Sequence, residues 1–463
     1  MAETVKGLPL WILEFNKNGQ PTDPGSIDRF VSEVQAQKLT DLFIFSHGWN
    51  NDRVAARSLY DRFFGQMADV FADQSLPKKN PNAKIGVAGV IWPSILWPDD
   101  AKSASMGTVA GGAGGGGAAS IGNEAPSAAA QATPREINVE LKKGYDQANQ
   151  QTLVDELTTM LEKQPKSEAA LIEFKTKLAE LLKSEPADAE KDRKNPDYAE
   201  GAMGALSDAR WRELLDVLAD ESASRGGSAG GAVGLGDPFK KLWAGAKDAF
   251  RVGTYWQMKQ RAGIVGRTGL GANVLTRLAH DAPTIHVHLL GHSFGARLVS
   301  FSLSGLPDKL TKEMSPVKSL FLLQGAFSHY AFADRLPHDA TRSGALKGMS
   351  ARVDGPLLTT HSLKDLAVGL SYPAASFMNQ DDAAAAADQG VRWGAMGHDG
   401  AQAVSATALP LSKPGTAYPM EKGKWLNLDG NKVIVKGGLP SGAHSDIVYP
   451  HTAWAALSAA GIV

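Results

Sequence analysis

The stretch Thr284 to Arg297, TIHVHLLGHSFGAR, constrains this chain more than any other. Ile285 to Leu290 is a β-branched and aliphatic run with the length of a central strand, and it meets Gly291 at once. Gly291, Ser293 and Gly295 make GxSxG. Ala296, Leu298, Val299, Phe301 and Leu303 then continue with the spacing of a helix packed on a sheet. Strand, serine, helix is the order a nucleophile elbow requires: the serine is held in a strained backbone conformation, and its flanking positions must lack side chains that would collide with the neighbouring strand and helix. The hydroxyl is then expected above the carboxyl end of the strand, at the positive end of a helix.

The surrounding pattern is that of an α/β chain with a doubly wound, mostly parallel sheet. Leu8 to Phe15 reads as a first strand and Gly25 to Lys38 as an amphipathic helix, with Ile27, Phe30, Val31 and Val34 on one stripe. Leu42 to Phe45 and Ile85 to Trp92 are continuous apolar runs suited to buried parallel strands, separated by a helix through Leu59, Phe63, Phe64, Met67 and Phe71. From about Pro98 to Ala249 the alternation stops. Residues 107–122, GTVAGGAGGGGAASIG, are low-complexity, and a second glycine patch spans Gly226 to Gly236. Between them Leu153 to Leu161, Ala169 to Leu182 and Leu206 to Leu218 carry helical spacings, and Lys183 to Lys194 reads as a solvated face. The expected organisation is therefore a core of residues 1–98 and 250–463 with a mostly helical insertion, residues 99–249, as a cap or a surface elaboration. The core pattern resumes with a helix over Gly269 to His280, strands at Leu320 to Gln324 and Leu357 to Thr360, and a hairpin of Trp425 to Leu428 with Val433 to Val435 around Asp429-Gly430-Asn431. A short apolar helix ends the chain.

Composition excludes several classes. Lys plus Arg number 48 against 49 Asp plus Glu, so no overall field draws nucleic acid or anionic lipid. The absence of cysteine rules out disulfides, thiolate metal ligands and a cysteine nucleophile. The apolar run Leu8 to Leu13 is too short for a signal peptide or a membrane span, which points to the cytoplasm or to export without a cleaved leader.

A serine alcohol needs a base within hydrogen-bond reach, and the base needs an orienting carboxylate. Downstream of Ser293 the chain offers acid and then histidine, the order of the elbow fold. Among His329, His338, His361, His398, His444 and His451, the preferred base is His444, in a loop before the last helix on the carboxyl side of the sheet, with His398 as runner-up. Asp365, just after the strand ending at Thr360, is the preferred acid; Asp334, Asp339 and Asp354 are its rivals, and Asp446 reads as the N-cap of the last helix. The oxyanion donors are expected to be the amides of Phe294 and Trp49, the latter in the loop His47-Gly48-Trp49-Asn50 after the early strand. His292, His47 and Asn50 are expected to line the substrate. His286 and His288 read as satisfied core groups, and Trp92 and Trp97 as core.

The chain resembles an α/β-hydrolase of the serine esterase and lipase type, over roughly residues 8–98 and 250–463. FIFSHGWNN (Phe43 to Asn51), HLLGHSFGA (His288 to Ala296), THSLKD (Thr360 to Asp365) and GAHSDI (Gly442 to Ile447) carry the resemblance. It implies hydrolysis of a small-molecule or lipid carboxylic ester through an acyl-enzyme, with neither metal nor organic cofactor. Serine at the elbow separates the chain from the dehalogenase and epoxide-hydrolase branches, which resemble this fold but carry aspartate there. Two alternatives stay open: a phospholipase-type enzyme touching a membrane surface peripherally, with the insertion as a mobile cap, and a non-catalytic interaction module with the insertion as its docking surface. Acyl-chain and alcohol preference depend on pocket shape.

Overall fold

The computed structural model describes residues 3–95, 97–98, 132–183, 207–224, 237–310, 314–367, 394–437 and 441–463. The two glycine patches, and all but the first residue of the charged stretch, lie outside the described residues. Nine strands form one sheet: β1 (Glu3–Val5), β2 (Leu8–Glu14), β3 (Asp41–Ser46), β4 (Ile85–Ile91), β5 (His286–His292), β6 (Val317–Leu323), β7 (Leu357–His361), β8 (Ala406–Pro410) and β9 (Trp425–Asp429), in the order β1-β2-β4-β3-β5-β6-β7-β9-β8. Among these described strands only the β1–β2 pair is antiparallel. Lys6 and Gly7, both at positive φ, make the tight turn between them.

The central strands are apolar on both faces because both faces are covered. Leu42 and Ile44 point into one hydrophobic layer and Phe43 and Phe45 into the other; Leu320 and Leu322 alternate with Phe321 and Leu323 in the same way. One layer holds the helices Arg53–Ala72 and Pro450–Ala459. The other holds Ser26–Ala36, the helix after the elbow (Phe294–Ser302) and a long helix, Pro238–Ile264, which runs on as a π-helix (Val265–Leu275) and a last α-helical turn and a half (Thr276–Asp281).

The boundary expected at residue 249 falls inside this long helix. Its first half packs on the insertion helices Glu168–Lys183 and Asp208–Ser224, and its second half packs on the elbow helix. Trp97, Phe174, Trp243 and Phe250, all fully buried, belong to the same continuous core as Leu289 and Val299.

One expected strand is absent and one strand was not expected. Val433 to Val435 is not a strand, because β9 already has a parallel neighbour on each side, β7 and β8, and no edge is left for a hairpin. Asn431 N donates to Asp429 Oδ1 (2.8 Å), which turns the chain away instead. The strand β8 has no apolar alternation to announce it, since it is an exposed edge ending in Pro410.

Among the described residues no helix is long and apolar enough to cross a membrane.

Candidate active site

Because β3, β5, β6, β7 and β9 run parallel and in register, their carboxyl ends come together along one edge of the molecule. Ser46 pairs with Gly291, His292 with Leu323, Leu323 with Thr360, and His361 with Asp429. The sheet order reverses around β3, and loops beyond such a point border a crevice.

Ser293 stands there at φ 58°, ψ −122°, a conformation that non-glycine residues rarely adopt. Neighbouring strands over-determine it: Ser293 N donates to Leu323 O (3.1 Å), and its carbonyl accepts from Ala296 N (3.1 Å) and Ala326 N (3.2 Å). The flanking glycines are required by contact. A Cβ on Gly291 would come 2.3 Å from Gly295 O, and one on Gly295 would come 2.0 Å from Ser46 O.

The structure brings Ser293, His444 and Asp365 together. Asp365, fully buried, accepts at Oδ2 from His444 Nδ1 (2.8 Å), which assigns the imidazole hydrogen to Nδ1 because a carboxylate can only accept. His444 Nε2 is then the acceptor for the Ser293 hydroxyl, at 2.8 Å. The loops carrying acid and base are stapled to each other: Ala443 N donates to Lys364 O (2.8 Å) and Ala367 N to Ser441 O (3.2 Å). The other candidates stand elsewhere. His398 and His329 both bind Asp399 (2.6 and 3.0 Å). Asp354, at the amino end of β7, pairs with Lys318 (2.6 Å), Asp339 caps the amide of Thr341 (3.0 Å), and Asp334 is exposed.

Compared with protein-family models, curated proteins and solved structures, the chain matches none. The geometry of the site carries the functional argument.

The loop after β3 crosses directly over the serine. Gly48 approaches so closely that a Cβ there would lie 2.5 Å from Ser293 Cβ and 3.0 Å from Oγ. The loop's carbonyls are occupied: His47 O accepts from Trp92 Nε1 (3.0 Å) and Trp49 O from Asn51 Nδ2 (2.9 Å). Among the described residues the amides of Trp49 and Phe294 make no hydrogen bond, and Phe294 opens the elbow helix, where backbone N–H groups have no partner within the helix.

The three residues expected to line the substrate each commit at least one polar atom to the protein itself. His47 has no exposed surface; its Nδ1 donates to Gly48 O (2.8 Å), its Nε2 accepts from Trp92 N (3.4 Å), and its ring stacks on Trp92. Asn50, at φ 59°, accepts at its side-chain oxygen from Trp97 N (2.5 Å). His292, also buried, donates from Nε2 to the carbonyl of His444 (2.9 Å) and so braces the backbone that carries that ring. Burial pushes His47 down to about 4 and, with the adjacent His444 ring, pushes His292 down to about 3, so both are neutral near pH 7.

Asp446 is not the N-cap of the last helix. Tyr449 holds that position, and Asp446 Oδ2 accepts from the amides of Val435 (2.9 Å) and Lys436 (2.7 Å), tying down the segment after the Asp429 turn.

Trp92 and Trp97 are core. His288 is a satisfied core group at the amino end of the sheet, bonded through Nε2 to Asp41 (3.0 Å) and through Nδ1 to Ser319 (2.9 Å), whereas His286 is exposed. Among the described residues no group of three His, Asp or Glu stands close enough to hold a metal ion. A groove of about 370 Å³ beside β2, lined by Trp11, Glu14, Asp23, Arg29 and Arg53 among others, includes none of Ser293, His444 and Asp365, and its arginines are paired with Asp23 and Glu14.

Proposed function

We propose that this protein is a serine hydrolase that cleaves carboxylic esters through an acyl-enzyme, built on an α/β-hydrolase type of sheet. The observation that carries the reading is a serine in a strained elbow with its Oγ 2.8 Å from His444 Nε2, on an imidazole whose Nδ1 lies 2.8 Å from the buried Asp365.

Each group has a role that follows from its protonation. His444 Nε2 takes the hydroxyl proton as Ser293 Oγ attacks the ester carbonyl, and Asp365 stabilises the imidazolium that forms. The oxyanion of the tetrahedral intermediate is taken up by the amides of Phe294 and Trp49. His444 then returns its proton to the departing alcohol, leaving Ser293 acylated; water attacks the acyl group by the same route and restores the hydroxyl.

Purified protein should hydrolyse p-nitrophenyl esters of graded chain length, and Ser293→Ala should lower turnover on the order of 10⁴-fold or more. A fluorophosphonate should label the wild type and spare the variant. A folded variant that keeps most of the esterase activity would sink the proposal.

A further inference from the structure

Gln324 stands one residue beyond β6, fully buried and at φ 47°. A buried amide is costly unless paired, and this one is paired throughout. Its Oε1 accepts from Thr360 Oγ1 (3.0 Å), and its Nε2 donates to Asp365 Oδ2 (2.9 Å) and Gly397 O (3.2 Å). Its backbone N–H donates to the same Thr360 hydroxyl (3.1 Å). The orientation of the amide is forced, because one end faces a carboxylate and a carbonyl, which can only accept. Thr360 has one hydroxyl hydrogen and spends it on Oε1 while accepting from the amide, so its bonding is consistent too.

The same carboxylate oxygen therefore receives two N–H groups, one from His444 and one from Gln324. We infer that Gln324 is a positioning residue: through its side-chain amide it sets the rotation of the Asp365 carboxylate and so the aim of His444 at Ser293. The inference rests on the hydrolase reading above. With the Nε2–H bond removed, Oδ2 keeps His444 Nδ1 but loses one of the two N–H groups that fix its direction, so the imidazole is aimed less well at Ser293.

Gln324→Met keeps the length and apolar bulk of the side chain and removes its donor and acceptor. Active serine in the purified variant is titrated with a fluorophosphonate, and kcat is expressed per titrated site. The expected result is a fall in kcat on the order of 10-fold or more, with KM within about twofold of wild type. Gln324→Glu supplies a second signature. A protonated carboxyl donates to Asp365 as the amide does, whereas an ionised one repels it, so activity relative to wild type at the same pH should recover as the pH falls.

A merely structural Gln324 would lower thermal stability and the titratable fraction while leaving kcat per site and its pH profile at wild-type values, and that result overturns the inference. Should Gln324→Met not fold, Thr360→Val removes the hydroxyl that orients the amide and is read the same way: reduced kcat per site supports the role, unchanged kcat overturns it. Ser293→Ala run alongside separates the two claims. If it is active, the hydrolase reading fails; if it is inactive while Gln324→Met behaves as wild type, only the role of Gln324 fails.

Discussion

At Gly48 a single hydrogen in place of a side chain is what allows a loop to pass over the Ser293 hydroxyl. A methyl there would overlap Ser293 Cβ and force the loop, and with it the Trp49 amide to which the proposed mechanism gives the oxyanion, away from the serine. Gly48→Ala should therefore leave the sheet folded yet reduce kcat/KM by roughly 10²-fold or more, measured on the best p-nitrophenyl ester. His47 and His292 act one step further back, and they couple the site to pH. Each has a folded-state value below the ordinary 6.5, about 4 and about 3 respectively. Between those values the unfolded chain binds the extra proton, so their contribution to stability is complete above about pH 6.5 and is lost as the pH falls through 4 and then 3. For His47 the loss on full protonation is about 3 kcal/mol. Urea unfolding followed from pH 7.5 to pH 4 should show stability falling with acid, and His47→Gln should flatten that slope. A slope identical in the two proteins would mean that the buried imidazole is not its source.

Among the elements, the long helix Pro238–Ile264 does most to join the molecule. Asp237 caps it, accepting from Phe239 N (3.2 Å), and Pro238 occupies its first position, where a missing N–H is harmless. Near its middle Phe250 meets Trp97 edge-to-face (5.7 Å) and Phe174 (6.2 Å). Further on, Tyr255 packs between Trp49 of the loop over Ser293 and Phe294 of the elbow (5.6 and 4.6 Å), and the carbonyl of Lys259 accepts from Arg297 Nε (2.8 Å). One rigid rod thus touches both the insertion and the walls of the site. Phe250→Ala should cost roughly 3–5 kcal/mol, and thermal unfolding followed by tryptophan fluorescence and far-UV circular dichroism should remain one shared transition. Separate transitions for the insertion and the sheet would contradict a common core.

For the molecule as a whole, a serine, a histidine and an aspartate meet twice, at opposite ends of the same sheet. Ser319, His288 and Asp41 are sealed at the amino end, where Ser319 lies within β6 beside a register shift against β5. Ser293, His444 and Asp365 meet at the carboxyl end, under a loop and beside a helix start, with His444 partly open to solvent. Residue types alone do not separate the two; position in the sheet does. What the sequence by itself determined was local. Continuous apolar runs specified β3, β4 and β6, because a strand covered on both faces has no polar alternation, and GxSxG specified the elbow, because only glycines clear the backbone on either side of Ser293. The order serine, acid, histidine was legible for the same reason, since parallel strands deliver successive loops to one edge. Only the tertiary structure decided where side chains point. His292 read as a substrate contact from its nearness in sequence to Ser293, and His47 and Asn50 from theirs to Trp49, yet Trp92, Trp97 and the His444 carbonyl, 45, 47 and 152 residues away from His47, Asn50 and His292, each claim a polar atom of them. Gln324 gave no signal at all, because a buried amide is recognised by the partners it satisfies, and those arrive from Thr360, Asp365 and Gly397 only when the strands close into a sheet.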